Sequence, residues 1–484
     1  MVFWRRPVLA LLVPLGLSLV QGCGPAPAGV ERPVQQALPL PEGIRVAFNH
    51  REAERYRSPV SGLWRPGDNL EAMVLEAISE ARQEILVAVQ ELSLPAVAQA
   101  LVARHRQGVA VKVVLDNNYS TPWSRQHPAD LTPHQRHRQS QLMALGQADA
   151  VELLLQAGVP LIDDRADGSA GSGLMHHKFL VVDRRVVVTG STNFSPSCVH
   201  GDSEDPRTRG NVNHLLRFDH PALAAVFAEE FGRLWGDGPG GAPDSRFGLG
   251  KGSGPAQRVQ VGDTTVEVLF APHSRQDPHQ GLNWLAAQMA TVQRSLDLSL
   301  FVFSAQNLAD ALAALPQRGV AVRLLADPGF ASRPFSEVLD VLGVSRADGD
   351  CLLEADNRVW SRPLEGVGTP RLVGGDKLHH KFAVIDNRSV ITGSFNWSPS
   401  AAHQNDETLL LIHSPQLAAH FTREMDRLWR GAELGVTGRL ERGLARSRQR
   451  CGSGRQRPAS AVHQPRVKPA PPGPISMVPS AAAP

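Results

Sequence analysis

One set of chemistry-bearing residues occurs twice in this chain. His176, Lys178, Asp183, Gly190, Ser191 and Asn193 reappear as His379, Lys381, Asp386, Gly393, Ser394 and Asn396, each displaced by 203 positions. A lone His-x-Lys is common by chance, whereas six identities at fixed spacing in two copies are not. Apolar β-branched runs flank Asp183-Arg184-Arg185 and predict a hairpin. Strand side chains alternate faces, so His176 and Lys178 share one face and His177 points away. Asp183 falls on the opposite face and reads as structural, while Ser191 and Asn193 again share a face. The second copy presents His379, Lys381, Ser394 and Asn396 in the same way, with His380 and Asp386 turned aside. Lysine and asparagine side chains can hold the dispersed negative charge of a phosphodiester. One imidazole can attack phosphorus, and another can protonate the leaving oxygen and later accept a proton from water. Each copy supplies one such histidine, so a complete site needs both. Adjacent histidines also suggest metal ligation, but opposed faces and missing Cys or Asp partners argue against it. No metal and no cofactor is expected.

The elements that must position these groups repeat as well. Residues 85–116 align with 296–327 without a gap, each reading as strand, amphipathic helix, Gly, and a second strand ending in Asp. This is a βαβ unit, with a parallel strand pair. Residues 227–235 match 421–429 and predict a closing helix in each half. The expected organisation is an α/β domain over 45–235, a Gly- and Pro-rich linker over 236–258 and a second α/β domain over 259–436. Two copies of one pattern suggest a pseudo-two-fold assembly. Long loops at 117–147 and 329–375 are the expected surroundings of substrate access.

The two copies resemble the HKD motifs of the phospholipase D superfamily, and the resemblance covers nearly the whole body of the chain. It implies two similar phospholipase D-like α/β sandwich domains related by a pseudo-two-fold, with the active site between them. It further implies a metal-independent two-step reaction through a phosphohistidine. The catalytic set it points to is His176, Lys178, Asp183, His379, Lys381 and Asp386, although the face argument gives both aspartates a structural part. Ser191, Asn193, Ser394, Asn396, Asn405 and Glu407 are the expected phosphate-binding and supporting residues. Asn405 and Glu407 match an Asn and an acid that follow the family motif, where the acid orients an imidazole. In the first half Asn213 stands where that acid belongs, so the two imidazoles are expected to be electrostatically unequal. We expect His176 to be the nucleophile and His379 the acid.

The ends of the chain differ from its body. Residues 1–23 combine Arg5 and Arg6 with an apolar run too short to span a bilayer comfortably, and end in a lipobox-like Val-Gln-Gly-Cys. Export to the cell envelope and lipid anchoring through Cys23 are expected. Residues 437–484 hold nine Lys/Arg against one acid and few large apolar residues, and read as a disordered basic tail. Cys198, Cys351 and Cys451 show no zinc-ligand spacing and no disulfide framework is expected; a Cys198–Cys351 pair is the one considered. The overall charge of +3 therefore conceals an acidic body, which disfavours coating of nucleic acid. The favoured reading is a monomeric phosphodiesterase that hydrolyses phospholipid head groups to phosphatidic acid. An envelope endonuclease of the same superfamily, with a nucleic-acid substrate, and a non-catalytic phosphate-binding scaffold are the alternatives. Cardiolipin synthesis, a transfer variant, is set aside because N-terminal membrane helices are not evident.

Overall fold

The apolar runs around each Asp-centred turn pair as antiparallel hairpins, Lys178–Val182 with Val186–Gly190 and Lys381–Ile385 with Ser389–Gly393. The structure, a computed structural model, describes residues 35–169, 171–201 and 207–457. The leader, Cys23 and the tail beyond residue 457 lie outside the described residues. Each hairpin joins a parallel pair made by the βαβ unit. Glu84–Val89 pairs with Ala110–Leu115 across helix Pro95–Arg106, and Ser295–Leu300 pairs with Ala321–Ala326 across helix Gln306–Gln317.

The first sheet runs Ile44–Phe48, His214–Asp219, Val186–Gly190, Lys178–Val182, Glu84–Val89, Ala110–Leu115, Leu161–Asp163 from edge to edge. The second repeats this order with Thr264–Ala271, Glu407–His413, Ser389–Gly393, Lys381–Ile385, Ser295–Leu300, Ala321–Ala326, Val367–Thr369, and adds Gln257–Val261 and Glu433–Leu434 at its edges. The central strands are apolar on both faces because both are covered. Phe179 and Val181 join one core with Phe382, Val384 and the closing helices Pro221–Trp235 and Pro415–Trp429. Leu180 and Val182 face a separate outer core with helices Leu70–Glu80 and Pro95–Arg106. One apolar cluster thus spans both halves, so the two sheets share a core as well as a pattern.

Two expectations need correction. The tail does not begin at 437: Gly438–Cys451 is a helix, and its Leu440 and Leu444 enter the second half's outer core. Cys451 is disulfide-bonded to Cys351 at a sequence separation of 100, whereas Cys198 is free and buried. A few apolar residues suffice here because the cross-link removes much of the chain entropy that a lone helix would lose on docking. The long segment after Leu115 is also partly ordered, forming helix Pro133–Ala144 behind a Thr132/Gln135 capping box.

Candidate active site

Each motif histidine lies just before a central strand, in a segment bridged to the opposite half. The His176 amide donates to the Asp406 carbonyl at 2.9 Å, and the Asp406 amide to the Leu174 carbonyl at 2.9 Å. In the mirror arrangement the Val212 amide donates to Lys377 O at 2.8 Å, and the His379 amide to Val212 O at 3.0 Å. The two strand-ending aspartates of the βαβ units hold the same segments. Asp116 Oδ2 accepts from the Met175 amide at 2.9 Å, and Asp327 Oδ2 from the Leu378 amide at 3.0 Å. Their recurrence in the repeat was the available signal for this role.

The bridging exchanges the orienting groups between halves. His176 Nδ1 donates to Glu407 Oε2 at 2.7 Å, and Ser394 Oγ donates to the same oxygen at 2.6 Å. Asn405 Nδ2 donates to Glu407 Oε1 at 3.2 Å. Across the pseudo-two-fold, His379 Nδ1 donates to Asn213 Oδ1 at 2.9 Å, with Ser191 Oγ donating to that oxygen at 2.8 Å. Asn213 Nδ2 donates to the carbonyls of Cys198 and Asn211, which fixes its oxygen toward His379. Both imidazoles therefore carry hydrogen on Nδ1 and keep Nε2 for chemistry. Which half's residue orients which histidine depends on this exchange.

Lys178 Nζ donates to His176 O at 2.8 Å and reaches Gln90 Oε1 at 3.5 Å. Lys381 Nζ donates to His379 O at 2.7 Å and lies 4.9 Å from the Phe301 ring centroid. Phe301 also packs on His379 at 4.7 Å. Gln90 and Phe301 occupy equivalent repeat positions, so the polar and aromatic walls differ in the same sense as Glu407 and Asn213. Asn193 Nδ2 donates to Gln90 Oε1 at 3.3 Å. The Oδ1 atoms of Asn193 and Asn396 are buried and have no partner among the described residues.

Burial dominates the site's electrostatics. It lowers His176 to about 4 despite the opposing pull of Glu407, and, aided by the Lys381 and Lys178 charges, it also lowers His379 well below the ordinary histidine value. Burial also lowers Lys178 to about 8, and burial together with Lys178 draws Lys381 well down. Glu407, although buried, sits below its ordinary value because His176 and Lys178 outweigh desolvation. Two lysines and two imidazoles thus surround Glu407, with Asp116, Glu91 and Asp327 also acting on the lysines. An anion placed among them would favour the charged forms of both lysines and of the imidazoles.

Asp183 and Asp386 stand apart from this group. Asp183 has φ 48° and its carboxylate accepts from the amides of Arg82, Gln83 and Glu84 at 2.7–2.9 Å. Asp386, with φ 53°, caps Gln293, Arg294 and Ser295 in the same way. A short polar residue tolerates the left-handed turn and satisfies the loop preceding a neighbouring strand. Their inclusion in the catalytic set is corrected to a structural part. Gly393 serves close packing: a Cβ there would lie 2.2 Å from Thr408 O, at φ 130°.

The second histidines and a linker residue form a buried layer behind the site. His177 Nε2 bonds Glu230 Oε1 at 3.1 Å, on the closing helix of its own half. Lys251, from the stretch read as a plain linker, places Nζ 2.5 Å from Glu230 Oε1 and 2.8 Å from Asp406 Oδ1. In the other half His380 bonds Glu424, which pairs with Arg427 on the same helix. The sequence reading missed Lys251, the one lysine in a stretch otherwise short of apolar residues.

A family model described as "Cardiolipin synthase, PLD-like domain" matches residues 74–235 and 285–429. Mitochondrial cardiolipin hydrolase of Xenopus laevis is 30% identical over 34% of this chain and 71% of its own length. The human protein of that name is 32% identical over 31% of this chain and 53% of its length. A phospholipase D of Rickettsia prowazekii (strain Madrid E) is 25% identical over 34% and 66%. The matches thus span from about half to 71% of these relatives. Among solved structures, a phosphatidylserine synthase of Haemophilus influenzae Rd KW20 aligns over 80% of this chain and 89% of that one, at 14% identity and a TM-score of 0.48.

Proposed function

Because this chain belongs to the phospholipase D superfamily, with the PLD-like domain present in two parts, we propose that it hydrolyses phospholipid head-group phosphodiesters to phosphatidic acid through a phosphohistidine. The observation that carries this reading is the pair of Nδ1-anchored histidines, one from each half, beside two lysines, with Glu407 on only one of the histidines. The phosphodiester binds as an anion among these groups, held by Lys178, Lys381 and the amides of Asn193 and Asn396.

His176 Nε2 attacks phosphorus, and the bond to the leaving alcohol oxygen breaks as protonated His379 donates its Nε2 proton to that oxygen. N-phosphorylation turns the His176 ring into a cation, which Glu407 stabilises at its Nδ1–H. Neutral His379 then takes a proton from water while the water oxygen attacks phosphorus, releasing His176 and phosphatidic acid. Asn213 cannot stabilise an imidazolium as a carboxylate does, so His379 surrenders its proton readily. The substrate's negative charge supports its protonation on binding. This division supports His176 as nucleophile and His379 as acid.

Relatives named cardiolipin hydrolase and phospholipase D support a lipid substrate. A disulfide suits an oxidising compartment and supports export. Attachment through Cys23 remains part of the proposal, as does action as a monomer.

The test incubates the full chain with phosphatidylcholine or cardiolipin plus a primary alcohol, and separately with plasmid DNA. The expected result is phosphatidic acid with phosphatidyl-alcohol, abolished in His176→Ala and His379→Ala and insensitive to EDTA. Nicking of DNA with no lipid product would overturn the reading in favour of a nuclease. Phosphate binding without turnover of either substrate would leave a scaffold.

A further inference from the structure

The helix Gly438–Cys451 has a charged face that the reaction does not use. At 100° per residue, Arg439, Arg442, Arg446 and Arg450 fall within an arc of roughly 80°. Leu440, Gly443, Leu444 and Ser447 form the buried side. All four arginines are exposed. Arg450 donates to the Asp348 carbonyl, whereas Arg439, Arg442 and Arg446 have no carboxylate within ion-pair distance among the described residues. Exposed Arg333 and half-buried Arg346 extend the patch. Burial and the nearby charges of Arg446, Arg333 and Arg450 together draw the Arg346 guanidinium down.

The surroundings favour a bilayer over a polynucleotide. Leu434 and Val436, just before the helix, are 48% and 43% exposed. Apolar side chains beside a cationic stripe suit the interface of an anionic membrane. Arg333 lies over the Phe330 ring at 6.0 Å and Phe335 is 41% exposed. The helix itself, however, carries no aromatic residue among its arginines, whereas a single-strand reader interleaves aromatic faces with its cations. Arg439, at the head of the stripe, also lines a cavity of about 520 Å³ with Leu342, Leu372, Leu440 and Lys377. Lys377 precedes His379 by two residues, so the charged face and the catalytic segment border one cavity. The disulfide Cys351–Cys451 ties the C-terminal end of the helix to the domain.

We propose that the arginine stripe of helix Gly438–Cys451, with Leu434 and Val436 at its head, is the surface that docks this protein on an anionic phospholipid bilayer. The proposal rests on the phospholipid reading of the substrate, but docking is measured without turnover and can be judged separately. Each basic residue near an anionic surface contributes roughly fivefold to partitioning, so loss of three weakens binding on the order of 100-fold.

The test sediments the full chain with vesicles of phosphatidylcholine containing phosphatidylglycerol, and with pure phosphatidylcholine. Wild type should bind the anionic vesicles, and do so more weakly at high salt. R439Q/R442Q/R446Q should lose that binding on the order of 100-fold, and R439K/R442K/R446K should retain it. Both variants should turn over soluble bis(p-nitrophenyl) phosphate at the wild-type rate, which also shows that they fold. Equal vesicle binding by wild type and the glutamine variant would overturn the proposal. So would equal binding to neutral and anionic vesicles, or a short DNA duplex bound more tightly than the vesicles through the same arginines.

Discussion

Replacing Glu407 with Gln gives His176 the amide environment that Asn213 already gives His379. The carboxylate bonds His176 Nδ1 at 2.7 Å, placing the two charge centres of the phosphorylated state about 4 Å apart. At an effective dielectric near 20 that attraction is about 4 kcal/mol, an upper bound. The amide keeps a neutral hydrogen bond, roughly half as strong as the charged one. A net loss of about 2–4 kcal/mol follows, or a kcat decrease of roughly 30- to 1000-fold. Because the charge develops only as phosphorus bonds to nitrogen, KM should change little. Glu407 also pulls the His176 pKa upward against burial, so its removal should shift any acidic limb set by His176 to lower pH. Turnover of bis(p-nitrophenyl) phosphate reads both parameters. Its leaving group needs no proton, so His379→Ala should still form the phosphoenzyme but lose it slowly. Intact-mass and peptide analysis should place the adduct on His176. A Glu407→Gln rate within threefold of wild type, or an adduct absent from His176, would refute the assignment.

Lys251→Met should remove the buried cation shared by Glu230, which keeps His177, and Asp406, which keeps the Gly248 amide. Stability should fall by roughly 3–5 kcal/mol in denaturant titration, with Lys251→Arg recovering part of it. Glu337 is buried, and desolvation beside Asp340 raises its pKa to about 9. Its contribution is fully present below the unfolded pKa and is lost as pH rises toward 9, so Glu337→Gln should raise the unfolding midpoint at pH 8 but not at pH 4. His176 and His50 are buried with pKa values lowered to about 4 and about 3, so the unfolded chain takes up protons first as pH falls below about 6.5. His50→Gln should therefore lessen any loss of Tm below that pH relative to wild type, and an unchanged or steeper profile would contradict this. Cys451→Ser opens a loop of 100 residues and should cost about 2–4 kcal/mol, with non-reducing gels first showing the bond in wild type.

Local periodicity was sufficient for much of the architecture. The parallel βαβ pair at Glu84–Val89 and Ala110–Leu115 and the motif hairpins follow from short-range patterns that repeat. The same alternation separated His176 and Lys178 from His177, which turns to Glu230. It also set Asp183 on the far face, where three amides hold it. The helix Gly438–Cys451 was not legible because its order depends on two leucines and a cysteine partner a hundred residues away.

By itself, then, the sequence determined that one unit is used twice and that each copy offers a histidine, a lysine and an amide on a common face. Spacing along a strand dictates that much, because alternation is a property of the backbone. Only the tertiary structure decided that Glu407 serves His176 and Asn213 serves His379, since that depends on parallel bridges between segments more than 160 residues apart. It also decided that Lys251 is buried between Glu230 and Asp406. Long-range electrostatic partners are set by how two halves pack, and no local pattern encodes that choice.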